Sequence, residues 1–222
     1  MTLIVHSQCA YASYSRDDIP WRQDDYNANK LVKSLKGEAI NGYAQIRDHR
    51  GNWHRIVMGN RQPALSCFAV WALRTLTVHA APPITLVPVP SSRCTEFNAA
   101  CAPNDMAEAV RSLAPEQVRI ARLLRFVQIL PRSHDGGTRN AEVLRANLTV
   151  DDPRLVTPNS RVVLVDDVNT TGGHLRACAA ALRSVGVRVD MSLVAGRTVW
   201  AQEPDAFNLQ PVDLEAPIAF GF

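Results

Sequence analysis

The strongest constraint on the fold is a strand–helix–strand pattern in the last third of the chain. An uninterrupted apolar run, Val162 to Val165 in "SRVVLVDD", is typical of a strand that is covered on both faces. The helical stretch "GGHLRACAAALRSVG" follows it and ends at Gly186, and "VRVDMSLVAG" is a second apolar strand. Two such strands joined by a helix predict a βαβ unit with parallel strands. The pattern therefore indicates an α/β fold with a central parallel sheet flanked by helices.

The residues before this unit continue the same alternation. From Ile84, "ITLVPVP" predicts a buried strand that is closed by prolines. "PNDMAEAVRSLA" predicts a helix with Asn104 as its N-cap. We expect residues 84–200 to form one α/β core, and residues 201–222 to form a C-terminal tail.

Residues 1–83 have a different character, since they are polar, rich in turns and dotted with tryptophan. One helix is predicted in "ANKLVKSLKGE", where Gly37 is placed as a C-terminal stop. A second is predicted over residues 61–76, where Pro63 is tolerated in the first turn. We expect this part to form a hood-like N-terminal extension that belongs to the same globule as the core.

The composition narrows the class of protein. Of 222 residues, 46% are hydrophobic, which is enough for the core of one medium domain. A net charge of +3 is too small to indicate direct nucleic-acid binding, and no segment approaches the roughly 20 apolar residues of a membrane-spanning helix. The five cysteines form no CxxC pair and do not cluster with histidines, which argues against a zinc site. Scattered thiols fit a reducing compartment, so a soluble cytoplasmic protein is expected.

The chemically most unusual segment is "VDDVNTTGGH", residues 165–174. Ligands of parallel sheets gather at the carboxyl ends of the strands, where Asp166 and Asp167 are predicted to face solvent. Asn169–Gly173 leads into a helix N-terminus, whose unpaired N–H groups favour an anion such as phosphate. The two carboxylates would repel a phosphate but suit the vicinal hydroxyls of a sugar, with a divalent cation nearby. The ligand inferred is a ribose with its 5′-phosphate in the loop.

Other interpretations of this segment fit less well. A Walker-type phosphate loop needs GxxxxGK[ST], but no lysine follows these glycines, and the dinucleotide fingerprint GxGxxG is absent. The acidic pair of a receiver domain would lie near the start of its domain, whereas here only about 55 residues remain. An acidic strand end followed by a glycine turn, with no ligand, explains any two of these features better than it explains the whole run.

The run resembles the phosphoribosyl pyrophosphate (PRPP) motif of type I phosphoribosyltransferases, which consists of an apolar strand, two acids and a Thr-Thr-Gly loop. His174 departs from the motif, because the family often has Thr or Ser there, but an imidazole can also donate a hydrogen bond. The resemblance implies that Asp166 and Asp167 fix the ribose and serve Mg²⁺, directly or through ribose or water. It implies a PRPP phosphate site formed by Val168, Asn169, Thr170, Thr171, Gly172, Gly173 and His174.

Three further stretches are similar to the ComF-type branch of this family, so that the resemblance covers about residues 25–200. "EFNAA" (96–100) resembles the branch's "GFNQA" element, and "DYNANKLVKSLKGE" (25–38) resembles its segment that ends in a lysine-containing helix. The N-terminal zinc-ribbon cysteines of many ComF proteins are missing. "LVPVPSSR" (86–93) resembles the strand and loop that receive the pyrophosphate of PRPP, which implies pyrophosphate contacts by Ser91, Ser92 and Arg93.

"PRSHDGGTRNAEVLRANLTV", residues 131–150, corresponds to the family's mobile catalytic loop. The small and polar residues at 133–138 cannot pack a core, which by itself also fits a solvated connection. In the family this loop closes over pyrophosphate and keeps water out. The resemblance implies catalytic roles for Arg132, His134 and Arg139.

Two expectations concern single side chains. Arg119, Arg122 and Arg125 recur at every third position and are interpreted as the solvated side of a helix. Trp200 and Phe207 follow the last predicted strand, where a segment of this family often contributes to the nucleobase pocket. The other three tryptophans are expected to pack in or against the core.

The function that the resemblance predicts is Mg²⁺-dependent transfer of the phosphoribosyl group from PRPP to a nitrogen acceptor, with release of pyrophosphate. Two alternatives stay open. One is a PRPP- or nucleotide-sensing module that binds without turnover. The other is an interaction protein of a DNA-uptake or phage-defence operon, whose PRPP pocket is a switch or an effector site. A homodimer, or a protein partner encoded in the same operon, is compatible with each.

Overall fold

A six-stranded sheet forms the centre of the chain in the computed structural model, which describes residues 2–131 and 140–216. Neighbouring strands of this sheet are parallel except at one edge, where the last strand runs antiparallel to the first. In spatial order the strands are β10 (Val212–Asp213), β1 (Ile4–Ala12), β9 (Val189–Val199), β8 (Arg161–Asn169), β4 (Ile84–Pro88) and β5 (Val118–Ile120).

The predicted βαβ unit is confirmed. β8 and β9 are parallel neighbours, and α5 (Gly173–Ser184) connects them. Val162 to Val165 are all buried, because apolar residues of the helices cover both faces of the sheet. Gly186 follows α5 with a φ of 84°, which is left-handed backbone that glycine adopts without strain.

Helices cover both faces of the sheet, so the α/β class is also confirmed. On one face, α5 buries Leu175 and Leu182 against the strands. Burial of each such side chain contributes about 2 kcal/mol to the free energy of folding, so this helix is firmly attached to the strands that precede and follow it. The opposite face carries α1 (Gln23–Lys36), α2 (Gln62–His79) and α3 (Ala102–Leu113).

The helix signals predicted in the first 83 residues are confirmed. α1 ends at Lys36, and Gly37 caps it with a φ of 76° while its N–H donates to the carbonyl of Ser34. α2 carries Pro63 in its first turn, where the missing N–H costs no hydrogen bond. The polar character of this region thus concerns its connections more than its helices.

The predicted cap of α3 is wrong. The helix begins at Ala102 with Cys101 at the N-cap, and Asn104 lies inside the first turn. The Nδ2 group of Asn104 donates to the carbonyl oxygen of Ala99 at 2.7 Å. The chain enters the helix earlier than the polar pattern suggests, so this amide fastens the preceding loop to the helix instead of capping it.

The three arginines at 119, 122 and 125 do not lie on a helix, contrary to their interpretation. Arg119 is in β5, Arg122 joins two strands, and Arg125 is in the next strand. Arg122 forms an ion pair with Glu108 of α3 at 2.7 Å. Their spacing therefore reflects two short strands, of which the first is the edge strand of the central sheet. The second of these belongs to a separate pair, β6 (Leu124–Phe126) and β7 (Leu148–Val150).

The central sheet is built from residues on both sides of residue 84. β1 comes from the first 83 residues, and it is the parallel neighbour of β9 along its length. The remaining strands of this part form a hairpin of β2 (Tyr43–Arg47) and β3 (Trp53–Val57). Among the described residues, no helix combines the length and the apolar character needed to cross a membrane.

Candidate functional site

The segment that follows β8 surrounds a small cavity at the N-terminus of α5. The cavity has a volume of about 110 Å³ and is lined by residues 168–175, together with Asp166 and Leu144. Gly172, the N-cap of α5, has a φ of 75°. The first N–H groups of a helix have no partner within the helix and lie at the positive end of its dipole, so an anion is stabilised there. The structure thus brings the predicted phosphate residues together around one cavity.

Two buried polar atoms at this cavity have no hydrogen-bond partner among the described residues: Oδ1 of Asn169 and Nε2 of His174. An unpaired buried polar group costs about 1–3 kcal/mol, which a ligand that pairs with it would recover. Burial lowers the pKa of His174 to about 4, so the imidazole is neutral near pH 7 and has one N–H to donate. Its ring packs against Phe126, with 5.5 Å between the ring centroids.

The sequence pattern predicts that Asp166 and Asp167 face solvent at a strand end, but Asp166 is buried and only Asp167 is partly exposed. Both lie within β8, which continues to Asn169, and Asp166 is only 6% exposed. The N–H of Asp167 donates to Oδ1 of Asp166 at 2.8 Å. The two carboxylates also lie close enough to form a hydrogen bond with one another. Asp166 lines the phosphate cavity, Tyr11 lies near Asp167, and the charge of Lys36 acts on both carboxylates.

The two carboxylates are in an unfavourable environment for their charged forms. Burial raises the pKa of Asp166 well above its ordinary value, and the charge of Asp167 raises it further. Burial also raises the pKa of Asp167, against the opposing effect of the nearby Lys36. Hydroxyl donors or a cation would stabilise both carboxylates, and carboxyl groups perturbed in this way are common in functional sites.

Lys36, at the end of α1, is a member of this site that the sequence reasoning does not single out. Its Nζ forms an ion pair with Glu38 at 2.5 Å. Although burial opposes the charged form, the hydrogen bond to Glu38 and the charge of Asp167 raise the pKa of Lys36 above its ordinary value. The available signal is the resemblance of residues 25–38 to a segment that ends in a lysine-containing helix. Only the tertiary fold places that lysine near β8.

The loop after β4 lies beside the aspartates. β4 is the parallel neighbour of β8, and the N–H of Val89 donates to the carbonyl oxygen of Val165 at 2.8 Å. Ser91–Arg93 therefore leaves the sheet at the same edge as the segment that follows Val165. The carbonyl of Ser91 accepts the N–H of Cys94 at 2.8 Å, which closes the loop into a turn with Ser91 and Arg93 exposed. Pyrophosphate contacts from this loop stay a prediction.

Three predicted catalytic residues lie outside the described part of the chain: Arg132, His134 and Arg139. The described residues on either side of them contact both loops of the site. Before them, the N–H of Leu130 donates to the carbonyl oxygen of Ser92 at 2.9 Å. After them, Asn140 caps α4 (Ala141–Ala146), whose Leu144 lines the phosphate cavity. The predicted roles of the three residues stay predictions.

A larger groove of about 700 Å³ lies between α1, the β2–β3 hairpin and the chain after β9. Tyr43, Trp53 and Phe207 line it together with amide and charged side chains. Phe207 therefore lines this groove, whereas Trp200 is 65% exposed and does not line it. Trp53 is also exposed, so the expectation that it packs against the core is wrong.

Comparison with known proteins finds similarity in solved structures only. No protein-family model matches the chain, and no curated protein is similar to it in sequence. The chain is similar to UMP synthase of Leishmania donovani, with 15% identity and a TM-score of 0.39 over 80% of this chain and 32% of that one. It thus spans about a third of UMP synthase. Adenine phosphoribosyltransferase of Thermoanaerobacter pseudethanolicus has 14% identity and a TM-score of 0.38 over 70% and 95% of the two chains. Orotate phosphoribosyltransferase of Aeropyrum pernix has 19% identity and a TM-score of 0.38, over 75% of this chain and 81% of that one.

Proposed function

We propose that this protein is a Mg²⁺-dependent phosphoribosyltransferase, which transfers the phosphoribosyl group of PRPP to a nitrogen acceptor and releases pyrophosphate. The observation that carries the proposal is the cavity at the N-terminus of α5. There, two buried polar atoms without a partner among the described residues, Oδ1 of Asn169 and Nε2 of His174, lie near the carboxylate pair of β8. A ribose 5-phosphate has the complementary parts, because its phosphate accepts hydrogen bonds and its hydroxyls donate them. The resemblance of residues 165–174 to the PRPP motif supports the same ligand.

The 5′-phosphate would bind in the cavity, which has room for one such group. The free N–H groups at the start of α5 and the Nε2–H of His174 would donate to its oxygens. Thr170 Oγ1 lies 3.1 Å from Thr198 Oγ1 of β9, so that the neighbouring strand holds one of the loop hydroxyls in place. Hydrogen bonds to an anion in a confined site are about twice as strong as neutral ones, which favours tight phosphate binding.

The ribose would lie against Asp166 and Asp167. Their carboxylates would accept hydrogen bonds from its hydroxyls and would stabilise the positive charge that develops on the anomeric carbon as pyrophosphate leaves. Because burial already raises both pKa values, the pair gains most when a donor or a developing cation arrives. The acceptor nitrogen then attacks this carbon, and the protein needs no covalent nucleophile.

Mg²⁺ is compatible with this donor set as an ion shared with the substrate. Among the described residues, no group of three or more acidic, histidine or cysteine side chains is arranged to hold a metal alone. Mg²⁺ typically binds one or two protein carboxylates and completes its shell with water and substrate phosphates. Asp166 or Asp167 would supply such an oxygen, directly or through ribose or water. The bound ion would neutralise part of the pyrophosphate charge.

The pyrophosphate would be received by Ser91–Arg93, with Lys36 near Asp167. We assign the chain to the ComF-type branch on the resemblance of residues 86–100 and 25–38. We further propose that Arg132, His134 and Arg139 contact the departing pyrophosphate and exclude water from the closed site.

The decisive experiment measures binding and turnover separately. PRPP and ribose 5-phosphate should each raise the melting temperature, and PRPP more so with Mg²⁺, because a ligand at 100 times its Kd stabilises the folded state by about 2.7 kcal/mol. A pyrophosphate-release assay over a panel of nitrogenous acceptors then tests transfer. No thermal shift with millimolar sugar phosphate overturns the proposed ligand. Tight PRPP binding without pyrophosphate release for any acceptor favours the regulatory binding module instead.

A further inference from the structure

The C-terminal segment, residues 212–216, runs along the sheet edge and reaches the phosphate loop. β10 lies within it and pairs antiparallel with β1. The N–H of Leu214 donates to the carbonyl oxygen of Leu3 at 3.0 Å. In return, the N–H of Leu3 donates to Oδ1 of Asp213 at 3.1 Å. These bonds fasten the segment to the first strand, so its position is set by the sheet.

Leu214 packs directly on Gly172 of the phosphate loop. A Cβ placed on Gly172 would lie 2.7 Å from both terminal methyl carbons of Leu214. Carbon atoms pack at about 3.5–4.0 Å, so no side chain fits at this position while Leu214 stays in place. Glycine is also favoured by the φ of 75°. The loop and the C-terminal segment are therefore shaped to one another.

Arg176, in the first turns of α5, joins the same two pieces of chain. Its Nη2 donates to the carbonyl oxygen of Thr171 at 2.9 Å, and its Nη1 donates to the carbonyl oxygen of Leu214 at 3.2 Å. The planar guanidinium holds two acceptors in a fixed relation, which a lysine would not do. In a trans peptide the C=O and the following N–H point in opposite directions. The Thr171 carbonyl that faces Arg176 therefore turns the N–H of Gly172 away from it.

We propose that Arg176 and Leu214 are positioning residues, which hold the peptide between Thr171 and Gly172 so that its N–H points into the phosphate cavity. The ligand that this N–H meets, a sugar phosphate, rests on the proposed function. Neither residue touches the ligand. The C-terminal segment is thus part of the binding machinery rather than a tail, because it fixes one wall of the phosphate loop.

The first test replaces Arg176 with methionine, which keeps the length of the side chain and removes both donors. Isothermal titration calorimetry should show that Arg176→Met lowers the affinity for ribose 5-phosphate by about tenfold, as expected for a lost charge-assisted hydrogen bond near the ligand. The affinity for Mg²⁺-pyrophosphate, which does not use this loop, should be unchanged. Arg176→Lys should restore part of the lost affinity. Arg188→Met is the matched control, because Arg188 is exposed and pairs with Asp190 away from the loop.

The second test is a double-mutant cycle between Gly172 and Leu214. Gly172→Ala should lower ribose 5-phosphate affinity by at least about tenfold in wild type, but by only about threefold or less when Leu214→Ala has opened the space. The cost of the positive φ is common to both backgrounds, so it cancels in the comparison. If Gly172→Ala does not fold, Leu214→Ala alone decides, and it should weaken ribose 5-phosphate by about threefold while leaving pyrophosphate unchanged.

The outcomes separate the inference from the proposed function. Wild-type protein that does not bind ribose 5-phosphate overturns the proposed function, and this inference fails with it. Wild-type protein that binds it, together with an Arg176→Met variant of equal affinity, overturns the positioning role alone. Equal losses for ribose 5-phosphate and pyrophosphate would also overturn that role, since they would show a general effect on the fold.

Discussion

The loops after β8 and β4 leave neighbouring strands at the same edge of the sheet. Contacts within the protein hold the conformation of the first loop more firmly than that of the second. The first packs against Leu214, begins α5, and keeps polar atoms of Asn169 and His174 buried without partners among the described residues. The second is a turn closed by its own backbone, with Ser91 and Arg93 exposed. A site prepared in advance loses little entropy on binding, whereas an exposed loop must be ordered by its ligand. We therefore expect the first loop to dominate ground-state affinity and the second to matter mainly when Mg²⁺-pyrophosphate is present.

The largest effect should come from the carboxylates that lie between the two loops. Asp166→Asn with Asp167→Asn should lower PRPP affinity by about 100-fold or more, because hydrogen bonds to charged acceptors contribute about 1.5–3 kcal/mol each. Calorimetric titration measures it, with the exposed Asp18→Asn as a control. Unchanged PRPP affinity would show that neither carboxylate contacts the ribose. The two loops would then not bind parts of one ligand that is held between them by the carboxylates.

The same double variant should be more stable than wild type at neutral pH. Because burial raises the pKa of Asp166, the folded state holds its proton more strongly than the unfolded state, and wild-type stability falls as pH rises above 3.8. Asparagine carries no charge and can still accept the N–H of Asp167 through its Oδ1. We expect a gain of about 1 kcal/mol in the free energy of unfolding at neutral pH. Urea denaturation at several pH values checks it, and the gain should vanish below the ordinary aspartate pKa. A less stable variant would mean that the charged pair supports the fold.

A large kinetic effect is expected from the three residues between Leu130 and Asn140. Alanine in place of Arg132, His134 and Arg139 should lower the rate of pyrophosphate release by about 100-fold and PRPP affinity by only about threefold, because their contacts strengthen as charge develops. Stopped-flow turnover and calorimetry on the same samples separate the two quantities. If PRPP affinity falls as much as the rate of pyrophosphate release, these residues act in ground-state binding, as is expected of the loop after β8.

An intermediate effect is expected at His174. His174→Ala should weaken ribose 5-phosphate by about tenfold, and His174→Thr less, since a hydroxyl can donate in its place. The pKa of about 4 means that the native imidazole binds no proton where the unfolded one does, so stability should fall as pH drops from about 6.5 to about 4. NMR titration of the ring checks this. A ring that is protonated near pH 6.5 in the free protein would show that the cavity is open to solvent.

The smallest effect should come from the exposed loop. Arg93→Gln should lower the affinity for Mg²⁺-pyrophosphate by about fivefold or less, because exposed ion pairs contribute about 1 kcal/mol at most. Ribose 5-phosphate affinity should not change. A loss of ribose 5-phosphate affinity in this variant would show that the two loops bind as one unit, and the distinction between them would have to be abandoned.

The local sequence determined the βαβ unit at the centre of the fold and which residues form the phosphate loop. Val162 to Val165 are apolar without interruption because helices cover both faces of that strand, so the pattern leaves little choice of structure. Gly37 and Pro63 act through their own backbone angles, which is why their predicted positions at helix ends are confirmed. In the segment from Val168 to His174, residues close in sequence surround one cavity.

Only the tertiary structure decided what surrounds those residues. The burial of Asp166, the approach of Lys36 and the packing of Leu214 on Gly172 join parts of the chain that are far apart in sequence. The spacing of residues along the chain contains no information on such contacts. Two of the wrong predictions, the N-cap at Asn104 and the solvent-facing Asp166, failed for the same reason. A polar side chain in a loop pattern can cap, bridge or be buried, and the neighbours supplied by the fold determine which of these has the lowest free energy.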